Sequence, residues 1–147
     1  MEVLAWTPSV HSDTETVKYV GLDELLSRSD VISFHCPLND KTRGMVNAEF
    51  LSKTKHGVRL INTSRGAVLN ESDVADALKS GQVSAAALDV LSVEPALPEN
   101  PLLSAPNCII TPHIAWASRA ARKRLLDVID RSLASYAAGD GGINRIC

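Results

Sequence analysis

The chain has 147 residues, 45% hydrophobic and 22% charged, which suits one domain with an ample core that needs no disulfide or metal to hold it. Its 15 Lys and Arg against 17 Asp and Glu leave a net charge of −2, no global reason to bind nucleic acid. Apolar runs such as residues 85–88 fall far short of the roughly 18 residues that a membrane-spanning helix needs.

Residues 2–5 read as a buried strand almost from the start of the chain. Glu2 follows Met1 where a secretory leader would carry a basic stretch and a long apolar run, so no leader is expected. Residues 18–20 read as a weaker edge strand. Residues 22–27 then place Leu22, Leu25 and Leu26 on one helical face. A strand over 30–34 precedes a helix over 47–53 that opens on a capping Asn47, with Glu49 in its first turn. Next come a strand over 58–61 and a helix over 71–80. The latter has Asn70 as N-cap, Asp73 where a capping box puts its acid, and Gly81 just past its end. Strands over 85–90 and 108–111 flank a connection stiffened by Pro95, Pro98, Pro101 and Pro106. The longest helix, 117–138, bears a stripe of Leu125, Leu126, Ile129, Leu133 and Tyr136 and stops at Gly139. Residues 139–147 read as a tail.

Strands alternating with helices predict an α/β fold, a doubly wound parallel sheet with helices on both faces. Ligands of such sheets bind at the strand C-terminal ends, here residues 7–8, 35–37, 62–66, 89–95 and 111–116. After the third main strand, Arg65-Gly66 presents a planar fork of donors that suits a carboxylate or phosphate. After the last two come Glu94 and His113. Taken alone, an Arg beside a turn is more often a plain surface residue, and a lone His more often structural. Together, a carboxylate against one imidazole nitrogen fixes the tautomer and leaves the other nitrogen as general acid or base. The three cysteines, Cys36, Cys108 and Cys147, are odd in number and lack C-x-x-C spacing. Neither a disulfide framework nor a metal site is expected, and a reducing cytoplasm suits the chain. The basic run Arg119, Arg122, Lys123 and Arg124, with Asp127 and Asp130 one turn on, reads as a solvated, ion-paired helix face.

The stretch from Gly57 through Asn62-Thr63-Ser64-Arg65-Gly66 resembles a signature of the D-isomer-specific 2-hydroxyacid dehydrogenases. His35-Cys36-Pro37-Leu38 with Thr42-Arg43-Gly44, Ala87-Leu88-Asp89-Val90 with Glu94-Pro95, and Thr111-Pro112-His113-Ile114-Ala115 agree with the same family in order and spacing. His113 to Trp116 and the following Ser-Arg-Ala-Ala-Arg look most like the glycerate dehydrogenase and hydroxypyruvate reductase branch. The resemblance implies a Rossmann-type dinucleotide-binding domain over residues 1–116, closed by the helix 117–138, in an oxidoreductase that moves a hydride between NAD or NADP and a small 2-oxo or 2-hydroxy acid. It implies that Arg65 holds the substrate carboxylate, that His113 gives its proton to the carbonyl oxygen and that Glu94 keeps that imidazole protonated. It implies that Asp89 takes the nicotinamide carboxamide. Thr7, Cys36, Pro37, Thr42, Thr63, Ser64, Arg65 and His113 to Trp116 match cofactor-lining positions. Members are usually homodimers. For Cys36 a small buried hydrophobe is the favoured reading over any redox role.

Two departures stand out. The glycines fall at 21, 44, 57, 66, 81, 139, 141 and 142, and no three have the G-x-G-x-x-G spacing whose backbone approaches a pyrophosphate. The resemblance puts that motif, with a central strand, just before residue 1. The chain is therefore expected to be a C-terminal piece of its enzyme, poorly soluble or loosely packed and without turnover on its own. Strands 2–5 and 30–34 would then either close up and pair or leave the sheet split. The second departure is Thr7, which stands where NAD-specific members carry an acid that accepts from the ribose hydroxyls and repels a 2′-phosphate. With His11 the only cation near, weak discrimination between NAD and NADP is expected. The competing readings are a non-catalytic nucleotide-binding or protein-interaction module, and a piece with no function of its own.

Overall fold

A computed structural model of the chain describes residues 1–9 and 11–140. In chain order it has β1 (Val3–Ala5), β2 (Val17–Tyr19), α1 (Leu22–Arg28), β3 (Val31–Phe34), α2 (Ala48–Ser52), β4 (Val58–Asn62), α3 (Glu71–Ser80), β5 (Val83–Leu88), β6 (Cys108–Ile110) and α4 (Arg119–Ala137). Short 3-10 turns occupy Gly66–Val68 and Pro101–Ser104. The chain divides into two compact units, Met1–Pro112 and His113–Cys147, taken in turn.

In the first unit every strand pairing is parallel, as the alternation of strands and helices requires. β3, β4, β5 and β6 form a four-stranded sheet in that order, while β1 and β2 form a separate two-stranded one. Of the two outcomes open at the sequence level, the sheet is split: β1 takes β2 as its partner, with Ala5 opposite Tyr19. In the larger sheet Phe34, Asn62, Leu88 and Ile110 stand side by side, so four strands end in one row.

The core is one cluster. Leu26 of α1, Phe50 and Leu51 of α2, and Val74 and Leu78 of α3 join the inward residues of the sheet. Along β4 burial alternates strictly, with Val58, Leu60 and Asn62 inside and Arg59 and Ile61 outside, the period-2 signature of a sheet covered on one face. Val31, Ile61 and Ile109, the last 67% exposed, lie on the other face. The helices expected on both faces thus cover one face among the described residues.

The helix ends follow their capping residues. Asn47 and Asn70 accept from the amides of Phe50 and Asp73, and Gly81 closes α3 in the left-handed region at φ +82°. Asp73 departs from the expected capping box. Its carboxylate accepts from the Ala48 amide instead (2.9 Å), tying α3 to the start of α2. β5 spans Val83–Leu88 instead of 85–90, because the turn at Gly81 delivers the chain to the sheet at once. Asp89 and Val90 are buried beyond the paired strand.

The second unit holds α4, capped by the Ser118 hydroxyl on the Ala121 amide. Lys123 pairs with Asp127 at 2.8 Å one turn on, as expected of a solvated charged face. The stripe Leu125, Leu126, Ile129, Leu133 and Tyr136 is exposed along its length. Gly139 follows the helix at φ +83°. From residue 141 the expected tail lies outside the described residues.

Candidate active site

The four aligned strand ends of the first unit carry most of the polar residues singled out in the sequence. His35, Cys36 and Pro37 follow β3, residues 63–65 follow β4, Asp89 follows β5 and Thr111 follows β6. Backbone bonds lock the row beyond the strands: the Asp89 amide donates to Asn62 O (2.9 Å) and the Thr111 amide to Leu88 O (3.0 Å).

Asn62 builds the loop that presents Arg65. Its side chain is fully buried. Its Oδ1 accepts from the Ser64 amide (3.0 Å) and hydroxyl (2.9 Å), and its Nδ2 donates to Arg65 O (3.0 Å). A buried amide with these partners satisfied fixes a tight turn. Ser64 spends its hydroxyl on that turn, while Thr63 and Arg65 are exposed. The Arg65 guanidinium donates to Ser64 O (2.7 Å), leaving donors of its fork for a planar anion.

Gly66 follows directly and is buried. A Cβ built there would stand 1.9 Å from the carbonyl carbon of Leu91 and 2.4 Å from the Ser92 nitrogen. Only glycine permits this backbone-on-backbone contact, which ties the Arg65 loop to the loop after β5. That second loop carries Glu94, exposed, whose Oε1 accepts from the Leu91 amide (2.9 Å).

Asp89 is 5% exposed and accepts from the Thr111 hydroxyl. A carboxylate at this depth is placed for a strong bond to an N–H donor. Cys36 is half-buried and packs against the core, in keeping with its reading as a small hydrophobe. Thr42 uses its hydroxyl to close its own loop, donating to Pro37 O (2.7 Å) and accepting from the Asn39 amide (2.9 Å). Thr7 follows β1, at the end of the smaller sheet, and its hydroxyl contacts the Ser9 amide. His11 stacks on Tyr19 with ring centroids 5.0 Å apart.

His113, Ile114, Ala115 and Trp116 belong to the second unit. All four are exposed. The His113 backbone lies in the left-handed region at φ +53°, an uncommon position for a residue with a Cβ. The Trp116 indole donates to His113 O (3.0 Å) and the Ala117 amide to Ile114 O (2.8 Å), winding the segment into a turn before α4.

No group of three or more His, Cys, Asp or Glu able to hold a metal is found among the described residues. No helix among them is long and apolar enough to cross a membrane.

The family model described as the D-isomer specific 2-hydroxyacid dehydrogenase NAD binding domain matches residues 1–115. A hydroxypyruvate reductase of Blautia hydrogenotrophica is 51% identical over 143 residues, covering 95% of this chain and 44% of that protein. A glycerate dehydrogenase of Methylorubrum extorquens is 42% identical over 122 residues, covering 82% of this chain and 39% of that protein. Among solved structures, a glyoxylate reductase from Paecilomyes thermophila superposes with a TM-score of 0.85 at 34% identity, over 97% of this chain and 44% of that one. The chain thus spans less than half the length of these relatives.

Proposed function

The chain belongs to the D-isomer specific 2-hydroxyacid dehydrogenase family through its NAD binding domain, and from that membership we propose that it supplies the catalytic part of a reductase for small 2-oxo acids such as hydroxypyruvate or glyoxylate, or in reverse a dehydrogenase of D-glycerate. The observation that carries this reading is the row of parallel strand ends, which gathers Arg65, Asp89 and the Glu94 loop at the edge where such sheets bind ligands.

The donor set suits a nicotinamide dinucleotide. The deep Asp89 carboxylate fits the carboxamide, Thr63 and Cys36-Pro37 fit the ring surroundings, and Thr7 after β1 fits the ribose end. The chain's glycines offer no G-x-G-x-x-G for the pyrophosphate. When bound, the cofactor supplies the hydride chemistry at the substrate's C2. Arg65 binds the substrate carboxylate with its planar fork and so orients the carbonyl. His113, as imidazolium, gives its proton to the carbonyl oxygen as the alkoxide forms, and takes it back in the oxidative direction. Glu94 holds that imidazole in the donating orientation. The assembled enzyme is a cytoplasmic homodimer, and residues 1–116 are its dinucleotide-binding domain with 117–138 as the closing helix.

Steady-state reduction of hydroxypyruvate and glyoxylate by the protein expressed from the whole reading frame tests the proposal. With Thr7 in place of an acid at the ribose end, turnover is expected with both NADH and NADPH. A kcat/KM preference beyond about 10³ for NADH contradicts the weak discrimination, being more than a lost repulsion leaves. No turnover with either cofactor contradicts the activity.

A further inference from the structure

One carboxylate of the first unit holds the Glu94 loop from outside the row of strand ends. Glu71 opens α3, half-buried. Its Oε1 accepts from the Ser92 amide (2.7 Å) and its Oε2 from the Asn100 side-chain amide (2.9 Å). Asn70 already caps α3, so the helix does not need these oxygens, and both serve the loop. Next to Ser92, the Leu91 amide donates to Glu94 Oε1 (2.9 Å). On the other side the same Leu91–Ser92 peptide rests on the Cα of Gly66, where no Cβ fits. The Leu91–Ser92 peptide is therefore held by a charged acceptor and by close contact with the Gly66 backbone, and the Glu94 carboxylate accepts from the N–H of the adjoining Val90–Leu91 peptide. Bonds to an ionised acceptor are the strong kind.

We propose that Glu71 is a positioning residue for Glu94, fastening the loop through Ser92 and Asn100 so that the Glu94 carboxylate keeps one fixed place. The inference rests on the reading of Glu94 as the residue that holds His113. Loss of the grip lets the loop swing and the imidazole lose its fixed partner, while the cofactor-binding residues stay where they are.

The test is amide hydrogen exchange, residue by residue, in Glu71→Ala and Glu71→Gln proteins expressed from the whole reading frame. The Leu91 amide is the reporter, since its protection depends on Glu94 staying in place. In Glu71→Ala, exchange at Leu91 and Ser92 rises about tenfold or more, while Leu78 of α3 and Ala86 of β5 keep wild-type rates. Glu71→Gln keeps one acceptor for Ser92 and recovers most of the protection. Unchanged exchange at Leu91 overturns the proposal. Faster exchange spread through α3 and β5 also overturns it, because it assigns Glu71 to the fold. In turnover, Glu71→Ala lowers kcat with the cofactor KM within about twofold and Glu71→Gln restores most of it, and an unaltered kcat in Glu71→Ala counts against the proposal. Absence of turnover in the unmodified protein strikes at the dehydrogenase reading instead, and leaves the exchange at Leu91 to decide on Glu71.

Discussion

Asn62 shows how a single buried amide decides where a charged group stands. It is fully enclosed and satisfies two donors and one acceptor of the turn that ends in Arg65. Asn62→Ala strands those groups in the interior, and a loss of about 1–3 kcal/mol is expected from urea unfolding. A loss below about 0.5 kcal/mol contradicts the structural account. Cys108 gives a chemical counterpart. Burial in β6 pushes its thiol up from the ordinary cysteine value, so at about pH 8 it holds less thiolate than an exposed cysteine. Iodoacetamide is expected to modify it more slowly in the folded chain than after denaturation, and equal rates contradict this. The sequence singles out Arg65, Glu94 and His113 as candidates because each sits just past an apolar run beside residues of a recognisable motif. Asn62 and Gly66 are read in the sequence only as parts of a motif, and Glu71 only as the start of a helix. The roles of Gly66 and Glu71 depend on Leu91, Ser92 and Asn100, 20 or more residues away, which no local pattern names.

At the level of elements, the short strand β1 is flanked by an exposed charge cluster as well as paired with β2. Glu2, just before it, meets Lys18 of β2 at 2.9 Å and Arg28 of α1 at 3.0 Å. The hydrogen bond from Lys18, and then that from Arg28, hold the Glu2 carboxyl below its ordinary range. A lowered folded-state value means that the stabilisation is fully present above the ordinary carboxylate range and is lost as pH falls through the lowered one. The stability difference between the native chain and Glu2→Gln is therefore expected at about pH 7 and expected to shrink as pH falls below the ordinary carboxylate range. A difference that persists in acid contradicts it. Most elements were readable from local chemistry. The caps at Asn47 and Asn70 and the left-handed Gly81 fall where side-chain and backbone preferences put them, and β3, β4, β5 and β6 follow apolar runs. The partner of Asp73 was not readable, since its amide acceptor choice joins two helices 25 residues apart. Strand order was equally hidden. The apolar patterns of β1 and β3 say that both are strands, but not that they belong to different sheets.

The first unit has a sheet with one covered and one exposed face, and in the second unit the apolar stripe of α4 is exposed. Parallel sheets are ordinarily buried on both faces, and the chain spans less than half the length of its relatives. Within that span it holds the strand ends of a Rossmann-type sheet, the Arg65 and Glu94 loops locked through Gly66, and a left-handed His113 at the head of the second unit. In the proposed function these residues perform acid-assisted reduction of a 2-oxo acid. The most direct test compares kcat for hydroxypyruvate reduction between the unmodified protein and His113→Ala, both expressed from the whole reading frame and matched in melting temperature. Loss of the general acid is expected to lower kcat by about 10²–10⁴, and a kcat within about threefold of the unmodified protein contradicts the claim.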